Sequence, residues 1–517
     1  MIGVLIPLLI AVPLLCAGAL IVTGSRRRLN TVVLLGVLAA STAAGVLLVL
    51  AVRDGGVIAH EVGLWPAGIA IPLAVDMFSA LMITVTSLLS LTCAVFAVAA
   101  GHAHRPFFAP LVLVLTAGVN GALLTADLFN LFVFIEVMLL PSYALLVLSA
   151  PGRATADRVA GTRLYVTVNL LTSTLFLAGV GFVYGVTGTV NLGELAAAAT
   201  DSPAVAAATG VCLFALSIKA AVVPVHGWLA RAYPAASPVV TALFSGLHTK
   251  VAIYAIYRIY AVVFDGQECY LWIGVAAFTL TMVIGVLGAV GQNTMRSILA
   301  FHMVSQIGYI LLGVALFSLA GLAAGIFYLL HHMIVKASLF LSTGALEIRY
   351  GTGSLDRLHG MARREPLIAV AFFAAALSLA GIPPFSGFLA KLTLIIAAVD
   401  AGQIIAAAVA IIVSLITLQS MLKIWSRVFW GKDTPEHPEP VPAAATPLSG
   451  GAVGPLATEA TVKSPPRVGF ALAAPSLFLA LVTLGLGVGG ELLLSLTETA
   501  ATGLLDTTTY TEAVSGR

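Results

Sequence analysis

Apolar runs long enough to cross a bilayer recur along nearly the whole chain, divided by short polar or basic stretches. A hydrocarbon layer ~30 Å thick needs roughly 20 helical residues. Windows of that length place spans near residues 2–23, 31–52, 73–100, 107–125, 127–149, 162–187, 203–233, 237–263, 270–290, 295–318, 320–347, 365–400, 402–430 and 470–495. The expected fold class is an all-α polytopic membrane protein with about fourteen transmembrane helices.

The seventh and twelfth runs are longer than a bilayer requires, and proline sits near the middle of each: Pro224 in one, Pro383 and Pro384 in the other. Proline removes a backbone donor and breaks a helix. At membrane depth a broken helix is tolerated where it lines protein or water, so both runs are expected to break beside a polar pathway. Residues 431–468 shift to Pro, Ala, Gly and Thr and read as a flexible cytoplasmic linker. The tail after Glu498 reads as polar and frayed.

Composition narrows the class. Sixty per cent of the 517 residues are apolar and nine per cent charged, which excludes a soluble globule of this size. A net charge of +3, with no basic run longer than Arg26–Arg28, points away from nucleic acid. Cys16, Cys93, Cys212 and Cys269 lack metal-ligand spacing, and no phosphate loop, HExxH or GxSxG motif occurs. No cofactor, no metal and no catalysis by this chain are expected. Loops on one side hold Arg26, Arg27, Arg28, Arg105, Arg153, Arg158, Arg296 and Arg349, among others, whereas the other side has Arg53, Arg258 and Arg517. Basic loops stay in the cytoplasm, so both termini are expected outside it.

Two stretches echo each other. Pro224-Val-His-Gly-Trp-Leu-Ala-Arg231 matches Pro384-Phe-Ser-Gly-Phe-Leu-Ala-Lys391 at proline, glycine, aromatic, Leu-Ala and basic positions. A fainter echo sets Asp127–Glu136 against Asn293–His302, each ending on an ionisable residue. Together they suggest two five-span units, spans 4–8 and 9–13. Five is odd, so consecutive copies enter the membrane from opposite sides, and such inverted repeats place polar sites at broken helices. The expected division is 1–106 for helices 1–3, 107–263 and 264–430 for the two repeats, 431–468 for the linker, and 469–517 for helix 14 and the tail.

The informative residues are ionisable groups inside spans. Lys219, His226, Arg231, His248 and Lys250 crowd the stretch from Leu216 to Arg258. A mid-bilayer lysine costs roughly 2.5–3.5 kcal/mol on insertion scales, so each must be paired, hydrated or titrating. Glu136, nine residues after Asp127, lies about 13 Å into its span. A Glu136–Lys219 pair would make a switchable proton site: paired, the lysine holds its proton, and once the carboxylate is drawn away desolvation releases it. The bland alternative is a helix-gluing salt bridge. Lys250 is near mid-depth, with His248 on a different face reading as an interior histidine. His332 and Lys336, at i and i+4, share a face, and imidazole can pass protons between lysines; His331 points about 100° away. Lys391 follows the Gly381–Pro384 break. Arg231 reads as a fixed interfacial charge, Lys423 as a snorkelling lysine, and Asp76 as a helix cap or a cation entry.

At this point SIKAAVVPVHGWLARAYPAASPVVTALFSGLHTKVAIYAIYR, preceded by Glu136 and followed by HHMIVKASLFL and AGIPPFSGFLAKL, resembles the proton-translocating antiporter-like family. That family includes components of Mrp cation/proton antiporters and membrane-arm components of respiratory complex I. The likeness covers about residues 70–430, and the lysine in the twelfth span is similar to the Mrp branch. The resemblance implies Glu136 and Lys219 as a pair beside one half-channel, Lys250, His332 and Lys336 as a central axis, and Lys391 as the terminal site. His248, His331, Pro224, Pro383 and Pro384 would support it. It implies other Mrp-type subunits as partners, protons and, as a candidate, sodium as cargo, and a location in the plasma membrane. A redox-driven complex I subunit and a non-conducting helical scaffold remain the alternatives.

Overall fold

In lipid every backbone N–H and C=O must find a partner within the chain, so the apolar runs become helices. The structure is a computed structural model describing residues 3–24, 26–64, 70–105, 107–148, 156–431 and 467–516. Nearly all of the expected 431–468 linker lies outside the described residues. In order come α1 (Leu8–Thr23), α2 (Arg27–Ala51), strands β1 (Ile58–Glu61) and β2 (Pro72–Val75), α3 (Met77–Ala99), α4 (Phe108–Leu124), α5 (Leu128–Leu148) and α6 (Ala156–Thr187). Next are α7 (Ala198–Asp201), α8 (Pro203–Ala220), α9 (Gly227–Ala235), α10 (Pro238–Phe264), α11 (Leu271–Val290), α12 (Met295–Leu316) and α13 (Leu319–Tyr350). Last come α14 (Met361–Arg364), α15 (Pro366–Ala380), α16 (Ser386–Asp400), α17 (Ile404–Ile424), α18 (Phe470–Val488), α19 (Gly490–Leu505) and α20 (Thr508–Ser515).

Among the described residues, twelve helices are long and apolar enough to cross a membrane, and α4 and α15 are shorter apolar helices. They occupy the fourteen expected positions. α10 and α13 are enclosed by the rest of the chain, and α13 packs against α3, α10, α12, α15, α16, α18 and α19. These two enclosed helices carry Lys250, His332 and Lys336.

The seventh and twelfth spans break as expected. α8 ends at Ala221, held in the left-handed region (φ 66°), and the chain resumes as α9 at Gly227. α15 ends at Gly381 (φ 88°) and resumes as α16 at Ser386. Val223–Pro224 and Pro383–Pro384 are both cis. Left-handed cap, cis proline and following glycine fall at the same spacing in both breaks, so the first echo is structural.

The second echo is one residue out of register. Gly118 of α4 lies against Met138 of α5 and Gly121 against Phe134; likewise Gly285 of α11 lies against Ser305 of α12 and Gly288 against Phe301. Asp127 caps α5 by accepting from the Asn130 N–H at 2.7 Å, and Thr294 caps α12 by accepting from Ser297. That register pairs Phe134 with Phe301 and places Glu136 opposite Met303. His302 therefore sits about 100° around its helix from the position equivalent to Glu136.

The glycine contacts give a test. A Cβ at Gly118 would stand 2.6 Å from the Met138 backbone nitrogen, and overpacking of this kind costs ~1–3 kcal/mol or more. Gly118→Val and Gly285→Val are expected to reduce folded protein recovered by size-exclusion chromatography in detergent. Gly185→Val, at an open position, should match the parent. Equal recovery of all three would refute this packing.

Three local expectations change. Residues 72–75 are not the start of the third span but a strand antiparallel to 58–61, and α3 begins at Met77. The fourteenth span divides at Gly489 into α18 and α19. The tail is helical and packed: Ala500, Ala501, Leu504, Tyr510 and Val514 are buried, because small and apolar residues recur there at helical spacing beneath the polar surface.

Candidate functional site

Lys219 lies in the last turn of α8, where the helix dipole favours a cation. It is 3% exposed, and its Nζ donates to Asn169 Oδ1 of α6 at 3.2 Å. Asn169 is held in turn by its own Nδ2 donating to the Tyr165 carbonyl at 2.9 Å. Glu136 and Lys219 make no ion pair within 4.0 Å; the carboxylate acts on the amine through space. Glu136 and Lys219 are thus a pair at a distance, with Asn169 accepting one hydrogen bond from the amine. Glu136 is partly buried and its Oε1 has no protein partner.

His248, on α10, packs edge-on against Phe244 (centroids 4.4 Å apart), and its Nδ1 is 3.4 Å from Tyr165 Oη. Its Nε2 has no protein partner. Lys250 and Lys336 are wholly buried. The Lys250 amine donates to Thr249 Oγ1 at 3.0 Å, and Lys336 donates to the Leu299 carbonyl of α12 at 3.1 Å. His332 is within electrostatic reach of both, and neither of its ring nitrogens is bonded to protein.

At the second break, α15 ends and frees the Ala380 carbonyl from helical bonding. Lys391 of α16 donates to that carbonyl at 3.0 Å and to Ser414 Oγ of α17 at 2.8 Å, and it stands 5.5 Å from the Tyr309 ring centroid. The break thus builds the lysine's site. His331 is not idle either: its Nδ1 lies 2.8 Å from Ser386 Oγ, and its ring packs edge-on to Tyr328.

The expected residues, together with His302, fall into two electrostatic groups, Glu136, Lys219 and His248 in one and Lys250, His332, Lys336, His302, Lys391 and His331 in the other. Glu136 acts electrostatically on Lys219 and Lys219 on His248; Lys250 acts on His332 and Lys336; Lys336 and Lys391 both act on His302; Lys391 acts on His331. His302 joins Gln306 and Tyr309 on one face of α12, at i, i+4 and i+7. Both His302 nitrogens and Gln306 Nε2 lack protein partners. Buried polar groups without protein partners call for water. Buried amines and imidazoles in electrostatic reach of one another can pass protons where water joins them.

Sequence reasoning missed Asn169, Gln306, Ser386 and Ser414, and met His302 only as an echo. A polar side chain inside an apolar run was the available signal for His302. Arg231 is exposed, as expected for an interfacial charge. Lys423 caps α11 by donating to Val290 O (2.9 Å) and Gln292 O (2.8 Å). Arg258, taken as a loop charge, is instead 2% exposed within α10 and paired to Asp76 at 2.5 Å. Asp76 also forms a capping box with Ser79, so its capping role stands.

Two broken helices at matched positions, each feeding a buried lysine, define a membrane ion-translocating scaffold of the inverted-repeat kind. Residues 125–417 match the sequence profile described as "NADH:quinone oxidoreductase/Mrp antiporter, TM", and the chain belongs to this family. It is 38% identical over 435 residues, 83% of this chain and 87% of the relative, to a Na(+)/H(+) antiporter subunit of Alkalihalophilus pseudofirmus. Its fold matches a chain in the structure of the Mrp complex from Dietzia sp. DQ12-45-1b with TM-score 0.92 and 60% identity over 99% of both chains. It also matches a chain of respiratory complex I from Thermus thermophilus with TM-score 0.79 and 23% identity, over 98% of this chain and all of the other, a likeness of fold.

Proposed function

We propose that this chain is the proton-translocating subunit of a multisubunit Na+/H+ antiporter of the Mrp type, working in the plasma membrane with its partner subunits. The observation that supports this reading is two electrostatic groups of buried residues, Glu136, Lys219 and His248 in one and Lys250, His332, Lys336, His302 and Lys391 in the other, whose polar atoms repeatedly lack protein partners. The names of the Alkalihalophilus relative and of the Mrp complex support the antiporter context.

In this reading Glu136 and Lys219 receive the proton in the first repeat, 107–263. Lys250, His332 and Lys336 carry it along the enclosed helices. Lys391 releases it in the second repeat, 264–430. Pro224, Pro383 and Pro384 open the helices at either end, while His248 and His331 flank the lysines. An opposite charge nearby favours the protonated amine and a desolvated site favours the neutral one. Proton occupancy at Lys219 therefore follows the state of Glu136, with Asn169 accepting a hydrogen bond from the amine in the charged form. The basic loops support a topology with both termini outside the cytoplasm.

The test is sodium-driven proton flux in vesicles containing the assembled complex. Glu136→Ala is expected to slow exchange about tenfold, the effect of roughly 1.4 kcal/mol, without loss of assembly. Unaltered exchange would remove Glu136 from the pathway. A complex I context predicts iron–sulfur subunits among the copurifying proteins, whereas the Mrp context predicts small membrane subunits.

A further inference from the structure

At the break in the twelfth span a chain of three hydroxyls crosses from α15 to α16 by way of α18. Ser386 Oγ lies 2.8 Å from His331 Nδ1 and 2.7 Å from Thr483 Oγ1, and Thr483 Oγ1 lies 2.8 Å from Ser378 Oγ. Ser378, Ser386 and Thr483 are 0% exposed and His331 is 1% exposed. Ser378 belongs to the last turn of α15 and Ser386 is the first residue of α16, so neither half of the broken span completes the chain alone. Gly487 lets α18 approach this point, since a Cβ there would collide with the Pro384 carbonyl and stand 2.6 Å from the Ser386 nitrogen. Thr483 lies outside residues 125–417, the part matched by the family profile.

A hydroxyl has one proton to donate and lone pairs to accept with, so the chain has two polarities. In one, Ser378 donates to Thr483, Thr483 to Ser386, and Ser386 to a bare His331 Nδ1, leaving the ring proton on Nε2. In the other, His331 donates from Nδ1 to Ser386, Ser386 to Thr483, and Thr483 to Ser378. In the first polarity Nε2 already holds the ring proton and cannot take another, whereas in the second Nδ1 holds it and Nε2 is free to accept one, giving an imidazolium that donates from both nitrogens. The three hydroxyls must therefore stand in the second polarity for His331 to gain a proton at Nε2, and must turn together whenever the ring proton changes nitrogen.

We infer that Thr483 is a positioning residue of the proton route, joining Ser378 to Ser386 across the break so that the direction of the hydrogen bonds sets which nitrogen of His331 is free to take a proton. This rests on the proton-pathway reading above. It makes α18 part of the machinery. A purely structural role would have these hydroxyls only fasten α18 to the break.

The experiment measures sodium-driven proton exchange by the full complex in vesicles, carrying T483V, T483S, S386A or the T483V/S386A double variant. T483V keeps the shape and removes the hydroxyl. T483V and S386A are each expected to slow exchange about tenfold, the scale set by loss of one buried hydrogen-bond link. The double variant should be no slower than the worse single one, because cutting one chain twice adds nothing. T483S should restore exchange to within about twofold of the parent. Parent-like exchange with T483V, multiplied losses in the double variant, or failure of T483S to restore would each overturn the inference. Lys391→Ala in parallel separates the two levels: if it exchanges at the parent rate, the pathway reading itself fails. If it is inactive while T483V is not, only the role of Thr483 fails. Should T483V not assemble, S378A, S386A and their double variant carry the same comparison.

Discussion

Vesicles carrying the complex with Lys219→Ala, Lys250→Ala or Lys391→Ala are expected to lose sodium-driven proton exchange by about 100-fold or more, the usual contribution of a positioned proton-transfer group, while the complex still assembles. Assembly survives because each of these amines is buried and its insertion is itself unfavourable, by roughly 2.5–3.5 kcal/mol at mid-bilayer. Alanine removes that cost along with a few hydrogen bonds: one to Asn169, one to Thr249, or two to Ala380 and Ser414. Exchange fails because no neighbouring group replaces the titrating amine. Lys391→Arg sharpens the test. A guanidinium keeps the positive charge and does not give up its proton in proteins, so a titrating role predicts an inactive Lys391→Arg complex. A purely electrostatic or scaffold role predicts an active one. Full exchange by all three alanine variants would favour the scaffold.

The second large effect is on stability and arises at the Asp76–Arg258 pair. Arg258→Met strands a carboxylate that is 6% exposed, and removing one partner of a buried ion pair costs about 3–5 kcal/mol. Asp76→Asn isolates the charge from the cap, since asparagine caps a helix as well as aspartate does. It strands an arginine whose Nε and one terminal nitrogen already lack protein partners. The Arg258 guanidinium also stacks 4.3 Å from the Tyr510 ring centroid of α20. Loss of the arginine should therefore loosen the C-terminal helix as well. Both single variants are expected to lower the thermal inactivation temperature of the purified complex by several degrees, and the Asp76→Asn/Arg258→Met double variant should lose less than the two singles together. An unchanged inactivation temperature for Arg258→Met would show that the pair holds nothing together.

These two sites differ in how far they could be read beforehand. Each pathway lysine announces itself locally, because a charge within an apolar run is anomalous wherever the helix packs. The breaks are local too, since proline and glycine act on their own segment of backbone. By contrast, Asp76 and Arg258 are 182 residues apart. Arg258 lies near the end of an apolar run, where a loop charge and a buried partner of Asp76 look alike. Asn169 could not be assigned to Lys219 without knowing that α6 packs on α8. Its side chain, and not Glu136, accepts a hydrogen bond from the amine. The second echo misled by one residue because ionisable side chains were aligned, whereas the backbone aligns close glycines and caps.

The sequence by itself determined the spans, the two interruptions, the membrane class and the set of buried titratable groups. Those depend on short stretches of chain meeting hydrocarbon, where any polar atom is conspicuous. The packing of the helices settles which atoms those groups address: Asn169 before Glu136 at Lys219, the freed Ala380 carbonyl at Lys391, and a hydroxyl of α18 beyond His331. Hydrogen bonds extend about 3 Å and depend on direction, so partners far apart in the chain become readable once the helices are packed.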